Sequence, residues 1–81
     1  MIDIKIFGPG CPKCKVMESM VRRAVEELGI VANIEKVEAI EQILAMGILS
    51  TPALAINGVL KVRGRLVALP QIKAWITEAN A

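Results

Sequence analysis

The spacing of apolar residues changes along the chain, and each change marks an element. Ile2, Ile4 and Ile6 alternate with Asp3 and Lys5 and run into Phe7, which predicts a short strand with one strongly apolar face. Gly8-Pro9-Gly10 stops it. From Cys11 to Leu28 the period becomes helical: Met17, Met20, Val21, Ala24 and Leu28 share one face, while Lys15, Glu18, Ser19, Arg22, Glu26 and Glu27 occupy the other. Pro12 suits the first helical position and Gly29 the C-terminal cap. A β-branched run from Ile30 to Val37 predicts a second strand, its end blurred by Glu35 and Lys36. Ala39 to Met46 predicts a short helix with Ile40, Ile43 and Leu44 on one face and Gly47 as its stop. Beyond the break at Ser50-Thr51-Pro52, the runs Ala53 to Ile56 and Val59 to Val62 flank Asn57-Gly58. Both turn residues tolerate the positive φ of a type I′ turn, so a hairpin is expected there. Arg63-Gly64-Arg65 ends it, and Pro70 opens a last helix reaching about Glu78 with Ile72, Trp75 and Ile76 as its buried face.

The resulting order is β-α-β-α-β-β-α, an α/β arrangement. The first β-α-β unit implies a right-handed crossover between parallel strands, and the hairpin adds an antiparallel pair, so a mixed sheet with helices packed on it is expected. With 81 residues and no linker, repeat or low-complexity tract, the chain reads as one domain over residues 1–81. It is 54% hydrophobic and only 2% aromatic, so Ile, Val, Leu, Ala and Met must build the core. Met17 and Met20 belong to that core by spacing.

Ten basic and eight acidic residues are interleaved for a net charge of +2. No basic stripe tracks phosphates and no aromatics are placed to stack bases, which argues against a nucleic-acid partner. Apolar stretches are broken by Gly, Pro or charge well short of the roughly 18 residues that a membrane span needs. Asp3 and Lys5 interrupt the first apolar run, which does not suit a secretory leader, so a cytoplasmic location is expected. In that compartment a permanent disulfide is unusual, which favours a cycling pair of thiols.

The only two cysteines lie in Cys11-Pro12-Lys13-Cys14, at the predicted strand-to-helix turn. Two intervening residues bring the sulfurs close enough to form and break a disulfide. Unpaired amide hydrogens and the helix dipole favour an anion at this helix end, and Lys13 and Lys15 add positive charge. The Cys11 thiol is therefore expected to ionise below the free-thiol value of about 8.5. Cys14, one turn deeper and less exposed, is placed to attack a mixed disulfide formed at Cys11. A soft-metal module remains the alternative, with copper(I) held between the two thiolates. With no His and no third Cys, the chain alone cannot complete a zinc site of Cys and His ligands. Heavy-metal-associated domains resemble the chain in their strand-CxxC-helix start, but they require a β-α-β-β-α-β order, which a helix over 39–47 contradicts.

Taken together, Ile4 to Phe7, the Cys11-Pro12-Lys13-Cys14 motif, Thr51-Pro52 before a strand and Gly64 after the hairpin resemble the thioredoxin and glutaredoxin superfamily. The chain is most similar to its small prokaryotic thioredoxin-like redox-active disulfide proteins, over essentially the whole length. The resemblance implies a minimal thioredoxin-like fold, a four-stranded mixed sheet flanked by helices, and thiol–disulfide oxidoreductase activity. It assigns attack to Cys11, resolution to Cys14, and a cis bond facing the disulfide to Pro52. The Thr51 backbone would pair with a bound substrate chain, and Pro12, Lys13 and Gly64 would shape the site. It further implies disulfide-containing protein substrates and an electron donor of the thioredoxin-reductase type; no cofactor or metal is expected, and the chain is expected to act as a monomer. Two positions depart from thioredoxins. Gly10 stands where they carry a Trp, and Lys5 where they carry a buried Asp that helps to deprotonate the resolving thiol. A glutaredoxin's aromatic between the cysteines is replaced by Lys13, and its Gly-Gly-acid segment by Arg63-Gly64-Arg65, which argues against glutathione recognition.

Overall fold

The computed structural model describes residues 2–10 and 12–80. Its elements are β1 (Ile2–Phe7), α1 (Pro12–Leu28), β2 (Ala32–Val37), α2 (Ile40–Ala45), β3 (Ala53–Ile56), β4 (Val59–Arg63) and α3 (Leu69–Asn80). The order is the one expected from the sequence, and the four strands form a single sheet in the order β2-β1-β3-β4. β1 runs parallel to β2, with Ile4 opposite Ile34 and Phe7 opposite Val37. It runs antiparallel to β3, with Ile4 opposite Ile56 and Phe7 opposite Ala53.

Strand alternation sends β1 and β3 side chains into two cores. Ile4, Ile6, Leu54 and Ile56 meet Met17 and Val21 of α1 and Ile72 and Ile76 of α3 in the larger one. Phe7, Val37, Ala53 and Ala55 meet Ile43 and Ile48 in the smaller one, on the other face. Met17 is fully buried, in keeping with its expected packing role. Across the α1–α3 contact, Lys73 Nζ lies 2.6 Å from the Glu27 carboxylate, which Arg23 also grips at 2.6 Å. These hydrogen bonds, that from Lys73 first, hold the Glu27 carboxyl below its usual range.

The hairpin turn adopts the expected conformation, with φ of 51° at Asn57 and 82° at Gly58. Asn57 also fastens the turn to β1: its Oδ1 accepts from the Asp3 amide at 2.9 Å, and its own amide donates to the Asp3 carbonyl at 2.7 Å.

Several boundaries and faces differ from the sequence reading. β2 begins at Ala32, not Ile30, because Gly29 and Ile30 donate back to the Glu26 and Val25 carbonyls and close α1 in a Schellman cap. α2 is trimmed to Ile40–Ala45 and ends the same way: Gly47 donates to Leu44, and Ile48 donates to Ile43. Only Ile43 of its apolar face is buried, whereas Ile40 and Leu44 are 59% and 54% exposed. β4 extends one residue further, to Arg63. α3 starts at Leu69, since Ala68 already accepts from Gln71 and Ile72. Trp75 is half-buried against the rim of the larger core, not within it. No helix among the described residues is long and apolar enough to cross a membrane.

Candidate active site

The site is assembled where β1 ends and α1 begins. Gly8, buried, extends the β1–β2 pairing by donating to the Val37 carbonyl at 3.0 Å. Two residues further, Gly10 takes a positive φ of 88° and turns the chain toward α1. Pro12 is the first residue of α1, as its missing amide hydrogen and fixed φ favour. That places Cys14 in the first helical turn, 6% exposed and disulfide-bonded. Cys11, expected to carry the attacking thiol, lies outside the described residues. The first turn of α1 holds no acidic side chain, so its positive dipole end is not offset from within the helix.

Cys14 packs into the space that Gly8 leaves by having no side chain. A methyl group on Gly8 would overlap Cys14 Sγ, approach Cys14 Cβ to 3.0 Å and lie 3.9 Å from Thr51 Cβ. Gly8 therefore lies between Cys14 and Thr51, with Cys14 pressed against it. The Thr51–Pro52 peptide bond is cis, with Thr51 half-buried and Pro52 fully buried. Gly64 braces this segment from behind: its amide donates to the Pro52 carbonyl at 2.9 Å, and a side chain there would come within 2.8 Å of Ser50 Cβ.

Of the residues singled out in the sequence, Cys14, Thr51, Pro52 and Gly64 are thus brought into one connected patch. Pro12 and Lys13 are exposed at the start of α1. Lys5 is exposed and borders a groove with Phe7, Glu35 and Met46 on the α2 side of the sheet, away from the cysteine helix. Gly8 was not legible as a site residue, because a glycine ending a strand reads as punctuation. Glu18, one helical turn beyond Cys14, could have been found from the i, i+4 spacing. Its carboxylate pairs with Arg22 at 3.0 Å and Lys36 at 3.4 Å, and the Arg22 hydrogen bond is the chief cause of its lowered pKa.

The bracing role of Gly64 has a measurable consequence. Its φ of 75° costs an L-residue about 1 kcal/mol, and the contact with Ser50 adds a similar amount. Gly64→Ala is expected to lower unfolding stability in urea by about 2 kcal/mol, and only about 1 kcal/mol in a Ser50→Gly background that removes the obstructing atom. Equal losses in both backgrounds would show that the φ alone is responsible.

An apolar groove of about 190 Å3 leads from Pro9 and Thr51 past Ile40 and Leu44 to Leu49, which is 82% exposed. It borders the same loop and the same cis peptide as the cysteine.

Residues 2–77 match the family model described as a thioredoxin domain. This chain belongs to the thioredoxin family. It is 44% identical over 73 residues to a thioredoxin of Methanothermobacter thermautotrophicus, covering 90% of this chain and 95% of that one. It is 42% identical over 73 residues to a thioredoxin of Methanocaldococcus jannaschii, covering 90% and 84%. The crystal structure of Malassezia sympodialis thioredoxin superposes with a TM-score of 0.65 at 19% identity, over 99% of this chain and 76% of that one, a likeness of fold. The thioredoxin fold expected from the sequence is the one observed, including the helix at 40–45 that separates it from heavy-metal-associated domains.

Proposed function

We propose that this thioredoxin-family chain reduces or exchanges protein disulfides through Cys11 and Cys14. The Cys11 thiolate attacks a substrate disulfide, forming a Cys11–substrate mixed disulfide and releasing one substrate thiolate. The Cys14 thiolate then attacks the Cys11 sulfur, forming the Cys11–Cys14 disulfide and releasing the second substrate thiolate. Two electrons and two protons from a donor of the thioredoxin-reductase type restore the dithiol. The observation that carries this reading is Cys14: a buried, disulfide-bonded cysteine in the first turn of a helix, packed against Gly8, whose other neighbour is Thr51 of the cis Thr51–Pro52 bond. Cys11 is the chain's other cysteine, three residues away. Ionisation of a thiol at this helix end is favoured by the dipole and by Lys13 and Lys15. Extended substrate would pair with the Thr51 backbone, and apolar side chains flanking its cysteine would enter the groove lined by Ile40, Leu44 and Leu49.

A redox titration tests the reading. Equilibration with glutathione or dithiothreitol couples is expected to reveal one two-electron couple, with about 30 mV per tenfold change in the oxidised-to-reduced ratio. Cys11→Ser and Cys14→Ser should each remove it. A purified chain with no reversible intramolecular disulfide would overturn the assignment.

A further inference from the structure

The net charge of +2 hides an uneven placement of its sources. Residues 4–17 and 42–77 contain no Asp or Glu; apart from Asp3 and Glu78, every acidic side chain falls between Glu18 and Glu41. The fold separates these segments in space. β2 runs parallel to β1, β3 antiparallel to β1, and β4 antiparallel to β3, so the last residues of β1, β2 and β4 share one end of the sheet with the first of β3. With the order β2-β1-β3-β4, that end reads Glu38, Gly8, Thr51-Pro52 and Arg63-Gly64-Arg65 from edge to edge. The site lies in the middle. On its β2 side the charges are mixed, Glu18 and Glu38 lining the hollow beside Cys14 together with Lys15 and Lys36. On its β4 side they are arginines alone.

Those two arginines are held next to the cis bond. The Gly64 amide donates to the Pro52 carbonyl at 2.9 Å, and Arg63 lies opposite Ala53 in the β3–β4 ladder. Arg63 shares the face of Ala53, that of the smaller core, and Ile43 and Ile48 of the same core line the groove that leads to Thr51. Neighbouring strands lie about 4.8 Å apart, a spacing that an extended arginine side chain spans. Arg63 and Arg65 are exposed and, with Lys61, line an open hollow of about 310 Å3 on β4, the edge strand. Among the described residues, none of the three is in an ion pair or a side-chain hydrogen bond, whereas Arg22, Arg23, Lys36 and Lys73 each grip a carboxylate.

We propose that Arg63 and Arg65 select the substrate: disulfide-bonded protein segments that carry Asp or Glu next to the cysteine attacked by Cys11. The inference rests on the oxidoreductase reading above and adds no chemical step to it. An extended segment paired with the Thr51 backbone would bring the residues flanking its cysteine past Pro52 toward Gly64, where an arginine stands on either side. A guanidinium offers a carboxylate two parallel hydrogen bonds, and a lysine at the same place meets only repulsion, so both signs of charge contribute to the discrimination. No acidic side chain in the segment that carries the arginines competes for them.

Three disulfide-bonded peptides, identical except for Asp, Asn or Lys beside each cysteine, test the selection. Each is mixed with excess reduced protein without an electron donor, so that docking of a donor cannot contribute, and its reduction is followed by acid quench and chromatography. Rates are compared between protein variants, which cancels the intrinsic reactivity of each peptide. In Arg63→Gln/Arg65→Gln the Asp peptide is expected to react about fivefold more slowly than with wild type at about 10 mM ionic strength, and the Asn peptide within about twofold. At about 1 M salt the difference between the two proteins should vanish. Arg63→Glu/Arg65→Glu should go further and speed the Lys peptide about fivefold over wild type. Arg23→Gln/Lys73→Gln removes the same net charge at the α1–α3 contact and should leave the Asp-to-Lys ratio unchanged. An unaltered ratio in the Arg63 and Arg65 variants would leave these residues as charges that keep an edge strand from pairing, and would overturn the proposal. An equal change in the α1–α3 control would overturn it too, in favour of net charge. A wild-type protein that reduced none of the three peptides would instead remove the oxidoreductase reading itself, and this inference with it.

Discussion

Cys14→Ser is expected to attack disulfides normally and then to stall, accumulating as a covalent adduct with its substrate. The argument is one of effective concentration. On the proposed mechanism Cys14 is only three residues along the chain from Cys11, which carries the mixed disulfide, so resolution is intramolecular. Well-oriented intramolecular reactions reach effective molarities of about 10⁵ M and more. A free thiol at about 1 mM cannot compete with even a small fraction of that, and the lifetime of the adduct is expected to lengthen by at least about a thousandfold. The substitution should not disturb the fold on that scale, because a serine hydroxyl occupies less space than the thiol against Gly8, and burying it costs about 1–2 kcal/mol. Intact-mass measurement after mixing with a disulfide-bonded peptide would show the adduct, and Cys11→Ser would show none. A Cys14→Ser protein that turned over its adduct at the wild-type rate would mean that Cys14 is not the resolving group.

The parts of this fold that were legible in the sequence are those fixed by local chemistry. The I′ turn at Asn57-Gly58 and the length of α1, between Pro12 and Gly29, follow from backbone preferences that few tertiary contacts can override. The errors arose where a local pattern had two physical uses. Ile40, Ile43 and Leu44 have helical spacing, and the helix is there, but α2 is only six residues long and buries Ile43 alone. One apolar residue suffices to close the smaller core, and the other two are left to border the groove beside Thr51. Ile30 looks like strand and is spent on capping α1. The site divides in the same way. Cys14, Thr51, Pro52 and Gly64 carry motif signals. Gly8 does not, because what matters there is which distant atoms come near, and no spacing in the sequence encodes that.

Gly8 therefore provides a severe test of how the site is built. Its φ lies outside the left-handed region that favours glycine, unlike that of Gly10, Gly29, Gly47, Gly58 and Gly64, so space is the only reason for a glycine there. The atoms in the way are the Cβ of Cys14, fixed at the start of a helix, and its Sγ, held in a disulfide. Gly8→Ala is expected to cost about 3 kcal/mol, the upper part of the usual range for overpacking. For a domain of this size that corresponds to a melting temperature lower by about 12–24 °C. Gly29→Ala is the matched control, since nothing lies within 4 Å of its Cβ position and only its φ of 65° is penalised, at about 1 kcal/mol. The redox state should separate the two variants further. In the reduced protein a change of χ1 would carry Cys14 Sγ away from the new methyl group, leaving only the Cβ contact, whereas in the disulfide the sulfur is tethered. Gly8→Ala should therefore strain the oxidised form more than the reduced one and raise the reduction potential, by about 30 mV for each 1.4 kcal/mol of that difference. Gly29→Ala, remote from the cysteine, should leave the potential unchanged. A Gly8→Ala protein as stable as Gly29→Ala in both redox states would show that α1 can shift to accommodate the methyl group, and that Cys14 is not held against the strand end as tightly as the packing requires.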